Sequence, residues 1–147
     1  MKKSVLFLIG TIVLLVSSCR DIANNSINDR VEELNRKCPI SLDFFDEITK
    51  VEYRNGVISF YVTYDETKFN NSKLRNLLQN DRKSRKAFVS FCLSNNIVKE
   101  VLLAHVTETM FKEVNLSFRV ILIGLNSNEE LEVDVTWEEL RSMNYQY

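Results

Sequence analysis

The chain predicts an α+β domain, a four-stranded antiparallel sheet built from two β-hairpins with helices packed on one face. Three observations carry this. Asn55-Gly56 separates two segments of alternating apolar residues, and Asn126-Ser127 separates two more. The segments between and around these hairpins place apolar residues at helical spacing instead. The expected order is α-β-β-α-α-β-β-α.

The first helix is expected from Ser26, an N-cap followed three residues later by Asp29. Ile27, Val31, Leu34 and Cys38 form one narrow apolar stripe, and Pro39 ends the helix. Asn55-Gly56 is the strongest two-residue hairpin signal, because both positions of a type I′ turn need positive φ. That turn sets Tyr53 opposite Ile58, Val51 opposite Phe60 and Thr49 opposite Val62 on one face. Glu52 with Ser59, and Lys50 with Tyr61, take the other face. One apolar and one mixed face describe a sheet covered on one side.

Residues 65–72 read as a polar loop that ends in an N-cap at Ser72. Between Lys73 and Leu93, the residues Leu74, Leu77, Leu78, Phe88, Val89 and Cys92 share one helical face. Asp81 and Arg85 interrupt it, so the segment is one helix with a polar middle or two helices broken near residue 82. Residues 97–112 read as a buried helix, with a buried strand as the alternative. In the second hairpin Leu122 faces Leu131, Val120 faces Val133, Phe118 faces Val135 and Leu116 faces Trp137. Ile121 and Ile123 imply that the other face is partly covered too. Thr136 and Glu139 form a capping box for a last short helix through about Met143. The outline resembles the cystatin-like and β-lactamase-inhibitor-like folds, in topology alone, and fold does not carry function.

The start of the chain is an address. Lys2 and Lys3 form a basic cap, and residues 5–16 an apolar stretch. Twelve helical residues span about 18 Å, short of the roughly 30 Å hydrocarbon core of a bilayer. The stretch ends in Val16-Ser17-Ser18-Cys19. This segment, residues 1–19, resembles the signal peptide and lipobox of bacterial lipoproteins. The resemblance implies that residues 1–18 are removed, that Cys19 carries acyl chains, and that the membrane is the partner through Cys19. It departs from the commonest pattern in Val16 and Ser18. Arg20 after the cysteine, where the family reads Asp as inner-membrane retention, favours the outer membrane if the cell is Gram-negative. Residues 19–25 are then a lipidated cysteine and a polar tether, and residues 26–147 a single α+β domain.

Removal of residues 1–18 takes Lys2 and Lys3 with it, leaving 129 residues with 17 basic and 20 acidic side chains. That length suits one domain, and that charge gives no basic bias for nucleic acid. Few residues carry chemistry. Cys38 and Cys92 lie on inward-facing stripes, either as a disulfide in a compartment that permits one or as two packed thiols. His105 is the only histidine, has no metal-binding partner motif, and is expected at a core edge. Glu129, Glu130, Glu132 and Asp134 read as the wet face of a strand, and Arg82-Lys83-Ser84-Arg85-Lys86 as a solvated basic run. Phe44-Phe45 and the Tyr145/Tyr147 tail are candidates for exposed aromatics, against core packing and a frayed terminus. No nucleophile–base pair, metal motif or cofactor motif is present, so no cofactor is expected. The expectation is a non-catalytic, lipid-anchored envelope protein that binds a protein or ligand. The alternatives are an inhibitor or immunity-type protein of an envelope enzyme, and a hydrolase using the carboxylates of the last hairpin.

Overall fold

The computed structural model describes residues 2–142, with side chains from Cys19 onward. Its first element is one helix, α1 (Lys2–Arg36). Ser26, expected as an N-cap, lies inside it, and residues 20–25, expected as a tether, are helical. The apolar stripe therefore begins earlier than expected: Ala23, Ile27, Val31 and Leu34 are all buried. A hydroxyl that would cap a helix start has no such role where helix already precedes it.

The sheet has five strands, not four, and is mixed, not antiparallel. Its order is β1 (Ile40–Ser41), β2 (Glu47–Arg54), β3 (Val57–Tyr64), β4 (Ser117–Gly124) and β5 (Glu130–Thr136). β3 and β4 pair in parallel, Val57 with Ser117 through to Tyr64 with Gly124. The hairpins were legible because each is local. The pairing between them was not, because it depends on where the helices return the chain. A parallel pair needs a long crossover, and residues 65–116 supply it. The return is fixed at its end, where the Ser117 N–H donates to the Gly56 carbonyl at 2.9 Å.

Both hairpins keep the expected core register, with one change. Tyr53 opposes Ile58 and Val51 opposes Phe60, but a bulge at Thr49 puts Ile48 opposite Val62. The extra residue returns Ile48, fully buried, to the apolar face. Asn55 and Gly56 have φ of 53° and 79°, as the type I′ turn requires. A β-carbon at Gly56 would also lie 2.8 Å from the Val114 carbonyl oxygen, so glycine is required for space as well as for φ. Beyond the short β1, α1 covers the outer edge of β2. The Asn35 Oδ1 accepts from the Val51 N–H at 3.0 Å, and the Tyr53 hydroxyl donates to Asn24.

The crossover starts at α2 (Asn71–Asn80), capped by Asn70, two residues before the expected Ser72. Asp81 both ends α2 and caps α3 (Arg82–Ser94), so the polar middle is a break between two helices. Phe88, Val89, Cys92 and Leu93 bury the inner face of α3. Residues 97–112 are helical in two pieces. The short α4 (Asn96–Val98) runs into a π turn over Lys99–Leu103, and Thr107 caps α5 (Glu108–Glu113). In the second hairpin Phe118, Val120 and Leu122 oppose Val135, Val133 and Leu131, and the Trp137 N–H donates to the Leu116 carbonyl. The capping box of Thr136 and Glu139 starts α6 (Trp137–Arg141). Met143 and the Tyr145/Tyr147 tail lie outside the described residues.

One loop brace was not read from the sequence. The Glu66 carboxylate accepts from the backbone N–H groups of Asn126 and Ser127, the Asn126 side-chain amide and the Ser127 hydroxyl, at 2.6–2.9 Å. It ties the end of β3 to the β4–β5 turn. A β-carbon at Gly124 would fall 2.1 Å from its Oε1, so a larger residue there would push the carboxylate out of this position. These donors hold the Glu66 carboxyl down at about 2. Its pKa is lowered in the fold, so its stabilisation is present above the ordinary pKa of 4.5 and lost as pH falls towards 2. Denaturant melts of Glu66→Gln should show a flatter loss of stability over that window than wild type. An identical slope would mean that the brace does not form.

Candidate protein-binding surface

The loop after β1 is ordered by backbone bonds. The Leu42 N–H donates to the Asp46 carbonyl, and the Asp46 N–H to the Thr63 carbonyl, both at 3.1 Å. This turn points its two phenylalanines differently. Phe45 packs inward, its ring centre 5.2 Å from Phe69, 5.0 Å from Phe88 and 6.0 Å from Phe91. Phe44 stays 73 % exposed and reaches only Phe91, at 5.7 Å. The Phe44–Phe45 pair thus divides between the two roles that the sequence offered it.

A groove of about 360 Å³ opens beside this ring, between Leu42, Asp43, Phe91, Ser94, Asn96 and Ile97. Asn95 sets its shape. Its Oδ1 accepts from the Ile97 N–H at 3.0 Å and caps α4, while its Nδ2 donates to the Ser41 carbonyl at 3.2 Å. Asn95 therefore ends α3 through its backbone N–H on the Cys92 carbonyl, and its side chain fixes the start of α4 and the edge strand. Ile97 is 37 % exposed on the rim. An exposed aromatic with apolar neighbours and a polar rim is what a protein partner buries best. Among the described residues Asp43 is the only titratable side chain lining the groove, so they bring together no acid–base pair there. Sequence pointed to Phe44, but Phe91 and Ile97 join it only through the α3–α4 break.

The other sequence-predicted residues are dispersed. Cys19 is exposed on α1, and Cys38 and Cys92 are free thiols in the structure. Cys92 is fully buried on α3, and burial pushes its thiol up to about 12. Burial, and then the Glu47 charge, also raise the pKa of Cys38. Neither is a ready thiolate nucleophile. His105, expected at a core edge, is exposed, because the helix it was read on ends in a turn there. The hairpin carboxylates lie on the wet sheet face. Arg119 bonds both oxygens of Asp134, at 2.7 and 3.0 Å, and reaches Glu132 at 3.5 Å, while Arg75 takes Glu129. The basic run starts α3, where Arg82 pairs with Glu139 and the Lys86 ammonium donates to Ser142. Among the described residues no group of three or more His, Cys, Asp or Glu is placed to hold a metal ion.

No protein-family model matches the chain, and no curated protein matches it by sequence. Solved structures do match in fold. The pilotin EpsS of the Vibrio vulnificus type 2 secretion system superposes with a TM-score of 0.53 at 10 % identity, covering 84 % of this chain and 96 % of that one. The type II secretion system pilotin AspS from Vibrio cholerae gives a TM-score of 0.50 at 13 % identity with the same coverage. At these identities the likeness is one of fold.

Proposed function

We propose that this is a non-catalytic, lipid-anchored envelope protein that binds another protein of a secretion system. The observation that carries the reading is a pilotin-like fold on a chain whose residues 1–19 end in a lipobox-like cysteine. The anchor holds the domain at a membrane, the outer one if the cell is Gram-negative, and the domain presents the Phe44 surface to its partner. The inhibitor reading draws no support from these likenesses. The hydrolase reading meets a strand face whose acids are largely occupied by arginines.

The test has two measurements. Intact-mass analysis of the native protein should find acyl chains on Cys19 and residues 1–18 removed. A deletion strain should retain, inside its envelope, proteins that the parent strain exports. An unacylated Cys19, or unchanged export, would overturn the proposal. Phe44→Ala then tests the surface. The ring is mostly exposed, so stability should change by no more than about 0.5 kcal/mol. Cross-linking to the partner in envelopes should fall severalfold. Unaltered cross-linking would remove Phe44 from the interface.

A further inference from the structure

A second groove, of about 430 Å³, lies at the Cys19 end of the domain. Arg20, Asn24, Asn25 and Asn28 of α1 form one wall, and Arg54 and Asn55 of the β2–β3 hairpin form another. Among the described residues no carboxylate lines it. Five of the seven other arginines, Arg30, Arg75, Arg82, Arg119 and Arg141, each pair with an acid; Arg36 and Arg85 have no ion pair among the described residues, and neither lines this groove. Arg20 and Arg54 have no such partner among the described residues, and both are exposed. Glu52, the nearest acid along β2, is engaged by the Lys50 ammonium at 2.5 Å and the Tyr61 hydroxyl at 2.8 Å. The Asn28 amide already donates to the Glu32 carboxylate at 3.0 Å, so the groove offers two guanidinium forks and the amides of Asn24, Asn25 and Asn55 to an anion with several oxygens.

We infer that this groove binds the phosphate of an anionic phospholipid headgroup beside the acyl chains of Cys19. The inference rests on the lipid-anchor reading. Position selects the lipid over a free phosphate. Arg20 follows Cys19 directly, and Asn28 lies only about 12 Å further along the helix. The wall therefore begins at the depth of the headgroup layer, which is about 5–8 Å thick on each side of the hydrocarbon. The hairpin tip is carried to the same depth, because the Tyr53 hydroxyl bonds Asn24 on α1. Ile22, 64 % exposed one residue beyond Asp21, gives the same end an apolar contact for the membrane. The domain is then docked at two points, by its acyl chains and by its hairpin, and its orientation on the membrane is fixed.

The test uses the full lipoprotein in vesicles of phosphatidylcholine, with and without phosphatidylglycerol, and reads amide hydrogen exchange over residues 53–57. Each arginine near an anionic surface is worth about fivefold in occupancy, so exchange in wild type should slow by at least about that factor with phosphatidylglycerol. The double variant Arg20→Gln, Arg54→Gln should show no such slowing. Both positions are exposed, and an unchanged thermal melt verifies its fold. Equal exchange in the two vesicle types would overturn the inference, as would full protection in the double variant. Protection by inorganic phosphate over phosphatidylcholine alone would overturn the lipid assignment. Intact mass is measured on the same sample. An unacylated Cys19 removes the anchor reading and this inference together, whereas an acylated protein without lipid-dependent protection removes this inference alone.

Discussion

Exchanging residues 1–19 for an ordinary cleavable signal should move the protein from the membrane pellet to the soluble envelope fraction. The argument is one of magnitudes. Among the described residues no helix is long and apolar enough to cross a membrane. The domain carries 17 basic against 20 acidic side chains, so its net charge does not draw it to an anionic surface. The two groove arginines contribute about 1 kcal/mol each near such a surface, and salt screens them. Each buried methylene of an acyl chain contributes about 0.8 kcal/mol, so two chains exceed the arginines several times over. Loss of Cys19 acylation therefore should outweigh every other contact with the membrane. Fractionation of cells expressing each form, with the exchanged chain verified as folded by its thermal melt, checks it. An exchanged chain that still pellets with membranes would locate the attachment in the domain itself.

The contrast between neighbouring and distant contacts shows what a sequence makes legible. Local geometry was readable. The Asn55-Gly56 turn, the Phe118/Val135 register within one hairpin and the Thr136 capping box each depend on residues close in sequence, whereas the polar middle at Asp81 left one helix or two open. Features set by distant segments were not. The parallel β3–β4 pair joins residues 60 positions apart, and no pattern within either strand marks whether its neighbour runs with it or against it. The helix start was misplaced for a related reason. Ser26 and Asp29 look like a cap in isolation, but Ala23 already packs into the core before them. At the surface, Phe44 was visible as an aromatic, but its groove was not. The groove exists because Asn95 joins the α3–α4 break to β1, a contact across 54 residues. The basic groove was hidden the same way, with Arg20 and Arg54 brought together by the packing of α1 on β2.

Phe118→Ala should cost about 3–5 kcal/mol. Phe118 is fully buried on β4, where it stands opposite Ile58 in the parallel pair and Val135 in the antiparallel one. Its ring meets Phe111 edge-on at 6.2 Å and lies 6.4 Å from Trp137. It therefore joins the hairpin that the sequence specifies locally to the crossover helix that it does not. Truncation would remove the ring's transfer energy and leave a cavity that strands on both sides hold open. A domain of this size has about 5–15 kcal/mol in total, so the variant should melt roughly 10–20 °C lower. The loss should be smaller for Phe44→Ala, whose ring is of equal size but mostly in water. Urea melts of the two variants side by side separate core from surface. Equal losses would mean that Phe118 does not stand in the core between β3 and β5 in the folded protein.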